Sequence, residues 1–219
     1  MLIEHISVSR DSCFQECPEK YKFRYHLKVV SPEPEQFHFV YGKIVHKIIE
    51  HYTINRGNLA IQDAIKQVLS GEVELEPGTK APPLNTEYKK RLFSNIGNFM
   101  KFSEKAGTSG EIEWKFKLDM DGEGRCMTGF IDRLIIKNDK FFIVDYKTTK
   151  VSPWRKDERT ILKDLQLQCY CYVVMKEYQV PAENIQASLF YLEDYKFCPV
   201  KFSQKTLDEF PSVMLEKYK

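Results

Sequence analysis

The chain has 219 residues, 42% of them hydrophobic and 13% aromatic, enough to bury a sizeable core. Its 33 Lys and Arg set against 31 Asp and Glu leave a net charge of +2, so the overall balance neither demands nor excludes a nucleic-acid partner, and any basic surface comes from local clustering. No uncharged apolar stretch reaches the roughly 18 residues of a membrane span, and Met1-Leu-Ile-Glu-His5 lacks the basic start and apolar run of a secretory signal; the default expectation is therefore cytoplasmic, in a nucleoid or in a phage-infected cell, with no membrane partner.

From Ser9 to Leu27 aromatic and basic residues alternate, and Pro18 suits the first turn of a second helical segment. Pro32-Glu33-Pro34 ends that pair. Phe37 to Tyr52 carries apolar residues at 37, 41, 44, 45, 48, 49 and 52, a helical period, with Gly42, His46 and Glu50 one turn apart along it. Asn58 to Leu69 and Thr86 to Lys105 read as two more helices, each opened by a capping residue. The Gly- and Pro-rich stretch from Gly71 to Leu84 between them is a candidate mobile loop.

Glu111 to Leu118 reads as a strand, Asp121-Gly122-Glu123-Gly124 as a turn, and Arg125 to Ile136 with Lys140 to Thr148 as paired strands. Ile161 to Tyr178 is a long helix ended before Pro181, and Ala187 to Leu192 and Val200 to Phe202 supply late strands. A helical start followed by an antiparallel meander predicts an α/β fold, a mixed central β-sheet flanked by helices with a helical N-terminal portion. One domain is expected over residues 1–219, mainly helical to residue 110 and sheet-containing from 111 to 219.

The hairpin carries the chemistry. If Asn138-Asp139 is a two-residue turn, cross-strand partners sum to 277, which sets Asp132 opposite Asp145 and returns Lys147 to the same face. Opposed Cβ atoms lie roughly 4.5–5.5 Å apart, where like charges repel. A hard divalent cation with oxygen ligands, Mg²⁺ or Mn²⁺, would neutralise them. Phe130, Leu134, Phe141 and Ile143 accompany the charges, while Ile131, Ile135, Phe142 and Val144 line the other face, so the hairpin reads as buried on both sides. Charges in such a place are rare unless paired or functional. The competing reading is an ordinary strand face of mixed acids and lysines. Of the basic clusters, Lys147, Lys150, Arg155, Lys156 and Arg159 flank this site, whereas Lys89-Lys90-Arg91 reads as a solvated face. Six cysteines, at 13, 17, 126, 169, 171 and 198, lack the spacing of a disulfide scaffold, and Cys169 and Cys171 read as small packing residues.

Gly42-Lys-Ile-Val-His46, Gly129-Phe-Ile-Asp132-Arg133, Asp145-Tyr-Lys147-Thr148 and Gln166-Leu-Gln-Cys-Tyr170 resemble, in order and spacing, the motifs of RecB-type nucleases of the PD-(D/E)XK superfamily, which is related to CRISPR-associated and AddB/RecB nuclease domains. The resemblance spans Ser7 to about Tyr172. It implies a restriction-endonuclease-like core and metal-dependent hydrolysis of DNA phosphodiesters at a free end. It also implies His46, Asp132, Asp145 and the Tyr146 backbone carbonyl as Mg²⁺ or Mn²⁺ ligands, and Asp132, Asp145 and Lys147 as catalytic residues. Lys147 then orients or deprotonates water, or steadies charge on the phosphate. Gln166 and Tyr170, at i and i+4 on one helix face, would hold the DNA backbone or Lys147. Arg133 joins them as a DNA-binding or supporting residue.

Glu113 resembles the extra acidic position of the family, which holds a second metal or a water; a surface strand acid is the alternative. Tyr21 and Arg24 resemble the opening helices that approach nucleic acid, and the same aromatics also suit a core. On its own, His46 reads more often as a satisfied, partly buried histidine. Some relatives carry an iron-sulfur cluster on one early and three late cysteines. Here Cys17 matches, but the late segment offers only Cys198, so no cluster is expected. The function expected is a DNA exonuclease of recombination, repair or phage-type DNA metabolism, with a helicase or recombination protein as partner. The alternatives are a non-cleaving recruitment module and an endonuclease.

Overall fold

The computed structural model describes residues 5–29, 35–55, 58–107, 110–150 and 155–217; the expected break at Pro32-Glu33-Pro34 lies outside the described residues. One mixed sheet holds β1 (His5–Ile6), β2 (Ile112–Asp119), β3 (Cys126–Lys137), β4 (Lys140–Lys147), β5 (Ile185–Tyr191) and β6 (Lys196–Val200). The helices are α1 (Val8–Glu16), α2 (Pro18–Tyr21), α3 (Phe37–Ile54), α4 (Ile61–Ser70), α5 (Thr86–Ala106), α6 (Leu165–Glu177) and α7 (Gln204–Glu216), with a π-helical turn at Lys22–His26 after α2.

The expected hairpin register is present as far as Arg133 and Val144, one pair short of Asp132 and Asp145. Asn138 and Asp139 have φ of 50° and 57°, the left-handed pair that a type I′ turn requires. Pairs run antiparallel from Lys137 with Lys140 to Arg133 with Val144. β2 lies antiparallel to β3, β4 runs parallel to β5, and β5 antiparallel to β6. The meander thus passes into a parallel centre.

Apolar side chains cover both sheet faces, which is why the strands read as apolar almost throughout. On one face Met127, Ile131, Leu134, Ile143 and Leu189 pack with Leu167 and Val174 of α6 and Leu207 and Phe210 of α7. On the other, Val144, Tyr146, Phe190 and Leu192 pack with Tyr41, Ile44 and Ile48 of α3, Val68 of α4, and Leu92 and Phe99 of α5. The α3 stripe buries Tyr41, Ile44, Val45, Ile48 and Ile49, as its periodicity requires.

Several expectations need correction. Ile131 and Leu134, three apart, share one core, so the strict alternation breaks between them. Phe130 therefore does not lie beside Leu134; it is 53% exposed. The helix expected from Ile161 is divided into a 3₁₀ turn, Ile161–Lys163, and α6, which restarts at Asp164 because that carboxylate accepts the Leu167 N–H at 2.9 Å. α4 begins after Ala60 without a side-chain cap, so Asn58 does not open it, and Asn85 caps α5. Leu75 and Leu84 are buried in the α3–α5 core and anchor the Gly71–Leu84 stretch. β1 and α7 had no counterpart in the sequence reading.

β1 creates the gap on which the site is built. Cys126 pairs with both His5 and Asp119, and Arg133 with both Ile112 and Val144. β2 fills one edge of β3, so β1 and β4 share the other edge. Among the described residues, 128–132 have no ladder partner there.

Candidate active site

Asp132 is the last residue of that gap. Its Oδ2 accepts the Tyr146 N–H at 2.8 Å, at the point where β4 leaves β3. From there β4 continues along β5, pairing Asp145 with Leu189 and Lys147 with Tyr191. The Tyr146 ring is buried against Phe99, Phe102 and Phe190. Strand alternation then turns Asp145 and Lys147 the other way, toward α6. There Lys147 Nζ donates to Gln166 Oε1 at 3.2 Å, and Gln166 Nε2 donates to Tyr170 Oη at 2.7 Å. Of the two roles expected for Gln166 and Tyr170, the structure displays the grip on Lys147.

α3 closes the site from the opposite layer. A Cβ on Gly42 would stand 3.4 Å from Thr148 Oγ1, so glycine lets the helix approach the end of β4. One turn on, His46 Nδ1 lies 3.7 Å from Asp132 Oδ2, with His46 36% and Asp132 12% exposed. Glu113, half-buried at φ 48°, falls between the Ile112–Arg133 and Trp114–Ile131 pairs and so faces Asp132 across β2 and β3.

The electrostatics have one theme. Burial first, then the charge of Asp132, raises the Asp145 carboxyl above the ordinary range, while Lys147 and His46 pull it back. Burial first, then Asp132 and Glu50, pushes Glu113 up to about 8 despite Lys47. Burial opposes the Lys147 charge, but Asp145, Asp132 and Asp164 outweigh it and hold the ammonium above its usual value. Tyr170 is raised well above its ordinary value by burial and by Asp145 and Asp132. Carboxylates crowd one spot and repel one another.

Among the described residues, no three His, Cys, Asp or Glu side chains are close enough to enclose an ion as they stand. The donor chemistry nevertheless fits a hard cation. Asp145 Oδ2 is buried, and the Lys147 ammonium at 2.5 Å already meets the negative charge that a cation would also neutralise. Two carboxylates, an imidazole and a main-chain carbonyl suit Mg²⁺ or Mn²⁺.

The other expected residues divide. Arg133 is 2% exposed and donates to the carbonyls of Gly107 at 3.0 Å and Glu111 at 3.3 Å, bracing the α5–β2 connection. Tyr21 packs with Phe14, Tyr25 and His26, and Arg24 lies over Tyr25, so these side chains are grouped with one another rather than with Asp132 and Asp145. Arg155 of the flanking basic cluster pairs with Asp194 and stacks on Tyr191.

Asp164 was missed. It caps α6 and pairs with Lys156 at 2.5 Å, which fixes the turn that carries Gln166. Its signal was an Asp just ahead of the Gln-x-x-x-Tyr segment, hidden by extending the helix back to Ile161.

A family model described as the PD-(D/E)XK nuclease superfamily matches residues 5–217. No curated protein matches the chain.

Proposed function

The chain belongs to the PD-(D/E)XK nuclease superfamily, and from that premise we propose that it is a divalent-metal-dependent deoxyribonuclease of RecB type. In this reading all 219 residues act as one nuclease domain that trims DNA from a free end, in recombination, repair or phage-type DNA metabolism, inside the cell and beside a helicase or recombination partner. The observation that carries it is the meeting of Asp132, Asp145 and Lys147 where β4 parts from β3, with Lys147 gripped by Gln166.

His46, Asp132, Asp145 and the Tyr146 carbonyl would hold the Mg²⁺ or Mn²⁺, with Glu113 serving a second ion or a water. When bound, the ion supplies Lewis acidity toward a phosphoryl oxygen and offsets the crowded negative charge. Asp145, Asp132 and Asp164 hold the Lys147 ammonium above its usual value before any ion binds, which favours steadying charge on the phosphate over removing a proton from water. Gln166 and Tyr170 fix its direction. Arg133 sets the strand beneath Asp132. Tyr21 and Arg24, on a segment that also exposes Phe14 and Phe23, approach the substrate farther out.

End-labelled linear and closed circular DNA, single- and double-stranded, incubated with Mg²⁺, Mn²⁺ or EDTA, test the reading. Metal-dependent loss of linear DNA only, absent in Lys147→Ala, is expected. Cutting of circles would make the protein an endonuclease, and retained binding without cutting in any metal would make it a recruitment module.

A further inference from the structure

Beside the site, beyond the part of β2 that α3 approaches, the face of β2 and β3 turned away from α6 exposes side chains among the described residues. Met127 and Ile131 point into the α6 core, and the Phe116 ring packs over Gly129, so the intervening residues Thr128 and Phe130 face outward. Phe130 stands 53% exposed on the strand beside edge strand β2, two residues and thus roughly 6.6 Å along the strand from Asp132. Directly opposite it on β2 is Lys115, whose Nζ lies 5.9 Å from the ring centroid. Lys117, opposite Thr128, is the next residue on that face, and both lysines are exposed. A lone exposed Phe is ordinary. An exposed ring framed by cations and continuous with a carboxylate site is what a stacked base and its phosphates need.

We propose that Phe130, Lys115 and Lys117 form a platform for one single strand of DNA, a base stacking on Phe130 while the ammonium groups hold flanking phosphates. The identity of the strand rests on the nuclease reading; the stacking surface rests on the sheet. The platform selects a single strand because a base inside a duplex has no free face to offer a side chain.

Binding of fluorescein-labelled oligothymidylate and of a blunt duplex, followed by anisotropy in Ca²⁺ with every protein carrying Asp145→Asn, reads the platform without cleavage. Phe130→Ala should weaken strand binding about tenfold or more. Phe130→Trp should keep it or tighten it. Lys115→Ala with Lys117→Ala should reduce the salt slope by roughly one to one and a half units, about 0.7 for each phosphate. Phe93→Ala, which removes an exposed ring on α5, should bind as the parent does. Unchanged strand affinity in Phe130→Ala, equal losses on strand and duplex, or a loss in Phe93→Ala as large as in Phe130→Ala would overturn the platform. Absence of cleavage by the unmodified protein would instead overturn the nuclease reading and leave this binding result standing.

Discussion

Asp132 Oδ2 accepts the main-chain N–H of Tyr146 at 2.8 Å, so one carboxylate both faces the site and ends the β3–β4 ladder. The two roles separate by substitution. Asp132→Asn keeps an oxygen for the Tyr146 N–H, whereas Asp132→Ala leaves that donor unpaired at a cost of roughly 1–3 kcal/mol. Both variants should lose metal-dependent cleavage, and only Asp132→Ala should melt well below the parent. Equal melting temperatures for the two would mean the bond does not support the strand junction.

Lys147 and Asp145 form an ion pair whose carboxylate is buried and whose lysine is partly exposed, and removing the lysine leaves the carboxylate uncompensated. Lys147→Met should destabilise by less than the about 3–5 kcal/mol of a fully buried pair, and adding Asp145→Asn should recover much of that. Urea unfolding of the two single variants and the double variant gives the coupling directly. A double variant whose loss equals the sum of the single losses would mean that the two groups do not stabilise each other.

How much of this was legible depended on where the physics was local. The hairpin register followed from Asn138-Asp139 alone, since a two-residue turn leaves one pairing, but the ladder ends at Arg133 and Val144, one pair short of the expected Asp132–Asp145 opposition, and a side-chain bond from Asp132 to the Tyr146 N–H stands there instead. The Gln166 grip on Lys147 was legible as an i, i+4 pair, with one of two roles left open. β1 was not legible, because two residues have no period and its parallel partner lies more than a hundred residues away. α7 contains Pro211, which hides a helix from a pattern search although Ser203 caps it. The exposure of Phe130 depended on a local break in alternation beside Asp132, where the gap between β1 and β4 and the positive φ of Glu113 distort the ladder.

Glu113 gives a pH dependence with a definite sign. Its folded value, about 8, lies above the ordinary 4.5, so the folded protein keeps a proton that the unfolded chain releases. Its contribution is complete below about pH 4.5 and is lost as pH rises toward 8. In EDTA the melting temperature should therefore fall across that window, and Glu113→Gln should flatten the fall. A decline equally steep in Glu113→Gln would assign it to other groups.

Gly129 opens the motif that carries Asp132, and the structure gives it a packing reason. A Cβ there would stand 2.6 Å from Phe116 Cζ, because the tip of the ring reaches over the glycine on the α6 face. Gly129→Ala should then force the ring or the strand to move, at about 1–3 kcal/mol. Movement of β3 would also shift Asp132, three residues on, so activity should fall more than the melting curve explains. Phe116→Leu added to Gly129→Ala makes room for the methyl and should recover stability relative to Gly129→Ala alone. If the double variant regains stability and cleavage together, the glycine serves to seat β3 beneath the site; if Gly129→Ala is as stable and active as the parent, the contact with Phe116 does not constrain the strand.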